Sequence, residues 1–234
     1  MTDPGRREEL ALRLAEVRRR IAKACEAARR DVSELTLIAV TKTRPASDVR
    51  LLSELGIADV GENRDAEAAP KAAQCADLSL TWHFIGQLQT NKCASVVRYA
   101  SVVHSVDRLR LIRALGRAAR GAGRVIECLV EVSLDGDPAR GGAVPDQVPV
   151  LAEALAAEEG LVLGGVMAIA PLTMEPADAF ARLLVSAAAV RAVRPAATVI
   201  SAGMSGDLEA AVEAGATHLR IGTALLGDRG PGVR

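Results

Sequence analysis

The sequence predicts an α/β protein, a (β/α)8 TIM barrel with one extra helix at its N-terminus, and three observations lead there. The hydrophobic period switches repeatedly between a helical stripe and short β-rich runs. Those runs number eight within 234 residues. Ala- and Leu-rich helical segments lie between them, several ending in glycine, which suits a barrel better than an open doubly wound sheet.

The first element is a long helix over about residues 6 to 30. Leu10, Leu14, Val17 and Ile21 form its apolar stripe, and the arginines between them form a solvated face. "LTLIAVT" (35 to 41) is the first strand, with the helix "ASDVRLLSELG" after it; "ADVG" (58 to 61) and "TWHFIG" (81 to 86) are the second and third. A helix ending near Tyr99 leads to "ASVVHS" (100 to 105), and "DRLRLIRALGRAARGAG" leads to "RVIECLVEV" (124 to 132). The connection "SLDGDPARGGAVPDQ" is long and rich in Gly, Asp and Pro, and reads as either a mobile lid or a surface loop. The helix "VPDQVPVLAEALAAEEG", the strand "LVLGGVMAI" (161 to 169) and the helix "EPADAFARLLVSAAAVRA" follow. "ATVISA" (197 to 202) and "THLRIG" (217 to 222) complete the set. No linker divides the chain, so residues 1–234 are expected to form a single domain, with flexible ends over 1–5 and 229–234.

Composition narrows the function classes. Lys plus Arg and Asp plus Glu are balanced at 29 each, which gives no electrostatic footprint for nucleic acid or an acidic membrane. Aromatic residues make up 2%, too few for stacking on single strands. Cys25, Cys75, Cys93 and Cys128 lie far apart without metal-ligand spacing, so no metal site is expected. The N-terminus is charged throughout and lacks the apolar stretch of a secretory signal, and no run approaches a membrane span. These features predict a cytoplasmic protein.

In a barrel the chemistry belongs at the C-terminal ends of the strands. Lys42 closes the first strand in "IAVTKTRP". By residue type it is either a solvated strand-end lysine or a carbonyl-trapping amine made nucleophilic by partial desolvation. "GENRDAE" puts Glu62, Asn63 and Arg64 at the second strand end, where helix capping is the competing role. His83 lies inside the third strand, between Trp82 and Phe84, as a hydrogen-bonded core residue or a site residue. "SAGMSGDLEAAVEAGATHLRIGT" places two small-residue turns close together near the end of the chain, as an anion cradle would need.

"AVTKTRP", "GENRDAE", "WHFIGQLQTNK", "VHSVD", "GGVMAIAP" and "SAGMSGDLEAAVEAGATHLRIGTALLG" follow one another in an order and spacing that resemble the YggS/PROSC family of pyridoxal phosphate homeostasis proteins, from about residue 10 to residue 227. The resemblance implies a barrel like the N-terminal domain of alanine racemase, with pyridoxal 5'-phosphate (PLP) held as a Schiff base on Lys42. It further implies that Ser201, Gly203, Met204, Ser205, Gly222 and Thr223 cradle the phosphate. Arg220 would face the pyridine nitrogen, and Asn63 and His83 would line the mouth. Two departures stand out. Ala202 replaces a methionine common in relatives, and Arg140 stands where many carry a lysine, so a second, transient cofactor amine is not expected there.

The function implied is reversible holding of PLP in intracellular homeostasis, with indirect effects on amino-acid and keto-acid balance. PLP-requiring apo-enzymes would be its partners, and the protein would be a monomer without catalytic residues of its own. The alternative is a PLP-dependent amino-acid racemase. Racemases of the related fold use a second base, usually a tyrosine from an added β domain, whereas this chain ends just after the last strand and has one tyrosine, Tyr99. A sugar-phosphate barrel enzyme would use the same cradle but leave Lys42 without a role.

Overall fold

The computed structural model describes residues 4–137 and 140–227. Helix α1 spans Pro4–Ala28, with Leu10, Leu14, Val17 and Ile21 buried along one stripe as their spacing requires. The expectation of flexible ends lies outside the described residues apart from Pro4 and Gly5, which begin α1, and Gly227 closes the described chain.

Eight parallel strands follow and close into a barrel in sequence order. They are β1 (Thr36–Val40), β2 (Asp59–Glu62), β3 (Thr81–Phe84), β4 (Val102–Val106), β5 (Ile126–Glu131), β6 (Leu161–Met167), β7 (Val199–Ser201) and β8 (His218–Ile221). Every strand coincides with one of the eight predicted runs. The helices between them are α2 (Ala46–Glu54), α3 (Asp65–Gln74), α4 (Cys93–Tyr99), α5 (Leu109–Gly121), α6 (Val148–Ala157), α7 (Pro176–Val193) and α8 (Leu208–Glu213), and the short α9 (Thr223–Leu226) follows β8. Closure is made by β1 on β8, with Ile38 opposite Arg220 and Ala39 opposite Ile221.

Alternation along the strands divides the residues into two layers. Outward residues such as Ala39, Val60, Trp82, Phe84 and Cys128 join the helices in one large apolar core. Inside the barrel, Val102, Leu129 and Met167 form a separate small cluster with Val199 against it. Polar residues fill the rest of the interior: His83, His104, Ser201 and Arg220 are all at most 4% exposed. Among the described residues no helix is long and apolar enough to cross a membrane.

Candidate functional site

A cavity of about 470 Å³ opens at the C-terminal ends of the strands, within the size range of small-molecule sites. Of the residues expected there, Lys42, Asn63, Met204, Ser205, Arg220, Gly222 and Thr223 line it. Thr43, Arg44, Gln87, Glu131, Arg140 and Gly206 line it as well.

The turn carrying Lys42 is gripped from outside the barrel by α3. Lys71 donates to the Thr41 carbonyl at 2.8 Å, and Glu67, one helical turn earlier, accepts from the Thr43 backbone N–H at 3.0 Å. The residues on either side of Lys42 are thus fixed by two side chains of one helix. Thr43 is held at φ 64°, a left-handed conformation that a β-branched residue adopts only under constraint, at a cost on the order of 1–3 kcal/mol. Behind the turn, Lys71 also pairs with Glu62, and Thr41 Oγ1 donates to the same carboxylate at 2.6 Å. Burial pushes the Glu62 carboxyl above its usual range, and Lys71 and Thr41 pull it back. Glu62 therefore faces α3 and not the mouth, and it does not cap α3, whose N-cap is Arg64 without a side-chain bond. Asn63, the next residue, lines the mouth, and Gly86 packs directly on its backbone, where any Cβ would collide with the Asn63 carbonyl.

On the opposite side, two turns meet. Among the described residues, the backbone N–H groups of Ser205, Gly206, Gly222 and Thr223 donate no internal hydrogen bond, and all four residues line the cavity. Ser205 Oγ accepts from the Ala224 N–H at 3.1 Å, tying one turn to the other. Unused donors beside a cavity are the physical requirement for an anion cradle.

Three expected contacts are placed elsewhere. Gly203 does not line the cavity: at φ 90°, with Ala211 and Leu219 where a Cβ would stand, it makes the turn, and its carbonyl accepts the Arg220 N–H at 2.9 Å. Ser201 is fully buried beneath the mouth, where its hydroxyl meets Arg220 Nη1 at 2.7 Å and His104 Nδ1 at 3.0 Å. His83 lies deeper still, bonded to His104 and Asp59, because β3 turns its side chain inward two positions before the strand end region that reaches the mouth at Ile85.

Arg220 donates to Ser201 and, at 2.8 Å, to the Ala168 carbonyl. No carboxylate among the described residues forms an ion pair with it, and Glu62 is taken by Lys71. Burial lowers the Arg220 guanidinium to about 10, partly offset by Asp207 and Glu131, so it remains a cation near neutrality. Glu131, at the end of β5, was not singled out by sequence reasoning. It is 9% exposed, lines the cavity, and its carboxyl is pushed up to about 7 by burial and by Asp107, against the pull of Arg220 and Arg108. The available signal was a lone acid in the apolar run "CLVEV". His104 carried a similar signal within "SVVHSV". Arg140 lines the cavity and donates to Asp135 and to the Ile169 carbonyl, and Tyr99 lies outside the barrel, packed edge-on to Trp82 and 3.4 Å from Asp65.

Comparison with known proteins agrees with the barrel fold. The family described as the alanine racemase N-terminal domain matches residues 12–230. The pyridoxal phosphate homeostasis protein of Mycobacterium tuberculosis is 44% identical, over 97% of this chain and 95% of its own. PipY of Synechococcus elongatus, solved with PLP bound, is 34% identical with a TM-score of 0.81, over 93% of this chain and 100% of that one. Alanine racemase from Streptomyces coelicolor is 19% identical with a TM-score of 0.74, over 92% of this chain and 59% of that one, a likeness of fold.

Proposed function

Because the chain belongs to the family of pyridoxal phosphate homeostasis proteins, on a barrel of the alanine racemase N-terminal type, we propose that its mouth cavity holds PLP reversibly, with Lys42 as the covalent anchor. The observation that carries this reading is that one cavity brings together an amine on a clamped turn, four unused backbone donors and a buried guanidinium. The bound cofactor supplies an aldehyde and an aromatic ring able to delocalise charge.

Ser205, Gly206, Gly222 and Thr223 bind the phosphate through backbone N–H groups, and Met204 and Asn63 border the ring. Arg220 faces the ring nitrogen. A cation there disfavours protonation of that nitrogen and leaves the ring a weak electron sink, which suits a carrier better than a catalyst. Ser201 and Gly203 act one step removed, through Arg220. In this reading the protein is a cytoplasmic monomer that serves intracellular PLP homeostasis by giving up the cofactor to apo-enzymes, without a reaction of its own.

The test is the near-visible absorption of purified protein mixed with PLP. The expected result is a band that disappears on borohydride reduction, with the added mass on the peptide containing Lys42. Lys42→Ala should lose the band and keep its fold, since a half-buried strand-end side chain contributes little to the core. An unchanged band in that variant, or a reduced adduct on another residue, overturns the assignment.

A further inference from the structure

Five side chains from five strands form one unbroken hydrogen-bonded line through the barrel interior. Arg220 Nη1 is 2.7 Å from Ser201 Oγ, and Ser201 Oγ is 3.0 Å from His104 Nδ1. His104 Nε2 is 2.9 Å from His83 Nδ1, and His83 Nε2 is 2.9 Å from Asp59 Oδ1. Arg220 lines the mouth, whereas Asp59 begins β2 at the opposite face, where its side chain is 24% exposed beside α1. The line therefore joins the two ends of the barrel.

Donor and acceptor counting gives the line a single direction. Arg220 can only donate, so Ser201 Oγ accepts from it. The Ser201 hydroxyl is buried, and its own proton has one other partner, His104 Nδ1, which must accept. Burial and the neighbouring His83, Arg220 and His218 hold His104 well below the usual histidine range, so its ring is neutral and its proton sits on Nε2. His83 Nδ1 then accepts from His104, and His83 Nε2–H donates to the Asp59 carboxylate. Every donor points the same way, with a cation at the donor end and an anion at the acceptor end, the arrangement in which successive bonds polarise one another.

We infer that this line is a one-way relay in which Asp59, His83, His104 and Ser201 are positioning residues for Arg220, coupling the guanidinium at the mouth to a carboxylate on the far face of the barrel. Fixed by Ser201 and the Ala168 carbonyl, the guanidinium has no freedom to turn away from the cavity. What the relay does to bound PLP rests on the reading that the mouth takes that cofactor; the relay itself does not.

The test begins with nitrogen-15 NMR of the cofactor-free protein. His83 and His104 should each show a protonated Nε2 and a bare Nδ1; a proton on Nδ1 of either overturns the direction. Asp59→Asn keeps an acceptor of the same shape at the partly exposed end and removes its charge. Its expected signature is a shift of the His83, His104 and Arg220 side-chain signals, diminishing along the line. With PLP added, the absorption maximum of the bound cofactor should move and its retention weaken by about fivefold. A change confined to His83, with Arg220 signals as in the wild type, overturns the coupling. Should Asp59→Asn fail to fold, Ser201→Ala interrupts the line at the loss of one oxygen atom; Arg220 and His104 signals unchanged in that variant overturn it equally. Absence of PLP binding to the wild type would defeat the proposed function while the cofactor-free signals still decide the relay.

Discussion

The ammonium of Lys71 lies 2.8 Å from the carbonyl oxygen of Thr41, so the turn that presents Lys42 hangs on a buried ion pair. Lys71 is 6% exposed and its partner Glu62 is fully buried, with Glu62 Oε2 making no hydrogen bond among the described residues. Replacing Lys71 by Met leaves that buried carboxylate without its counter-charge, and Lys71→Met is expected to destabilise the fold by about 3–5 kcal/mol. Glu62→Gln added to Lys71→Met removes the orphaned charge and should recover at least half of the loss. Urea unfolding of the three proteins checks this. Equal instability of the single and double variants would show that the pair is not electrostatically coupled.

Racemisation is the alternative reading of this chain, and the position of Tyr99 argues against it. Inversion needs proton delivery on the face opposite the one from which the proton leaves. The one tyrosine of the sequence lies outside the barrel, against Trp82, and is not among the residues lining the mouth. PLP-loaded protein incubated with L-alanine in deuterium oxide is expected to yield no D-enantiomer by chiral chromatography. D-alanine that disappears with Lys42→Ala would overturn the carrier reading.

The barrel was legible because strand runs and helical stripes carry their periods locally, and Leu10, Leu14, Val17 and Ile21 are buried as their spacing demands. The mouth was legible in part at strand ends, where Lys42 and Asn63 reach the cavity, and Arg220, which the resemblance implied, lines it as well. Depth inside the barrel was not. Alternation says that His83 and Ser201 point inward, but how far below the mouth they sit depends on strand stagger, which no single strand encodes. The α3 clamp was equally hidden: Glu67 and Lys71 read as ordinary charges of a helix, and only the closure of α3 over the end of β1 brings them to Thr43 and Thr41.

Glu131 should make stability fall as pH rises through the acidic range. Its carboxyl is raised from 4.5 to about 7 in the folded protein, chiefly by burial, so between those values the folded state holds a proton that the unfolded chain has released. The folded state then binds more protons than the unfolded state, and the slope of unfolding free energy against pH is negative. The stabilisation is fully present below about 4.5, is lost as pH climbs, and is gone above about 7. At 1.36 kcal/mol per unit the whole effect is on the order of 3 kcal/mol. Glu131→Gln keeps the shape of the side chain without its titration. The difference in unfolding free energy, variant minus wild type, is therefore expected to rise by that order between pH 4.5 and 8, read from urea melts of the cofactor-free proteins. A difference that stays flat across that window would show that the Glu131 carboxyl is ionised in the fold at an ordinary value, with water reaching it from the mouth.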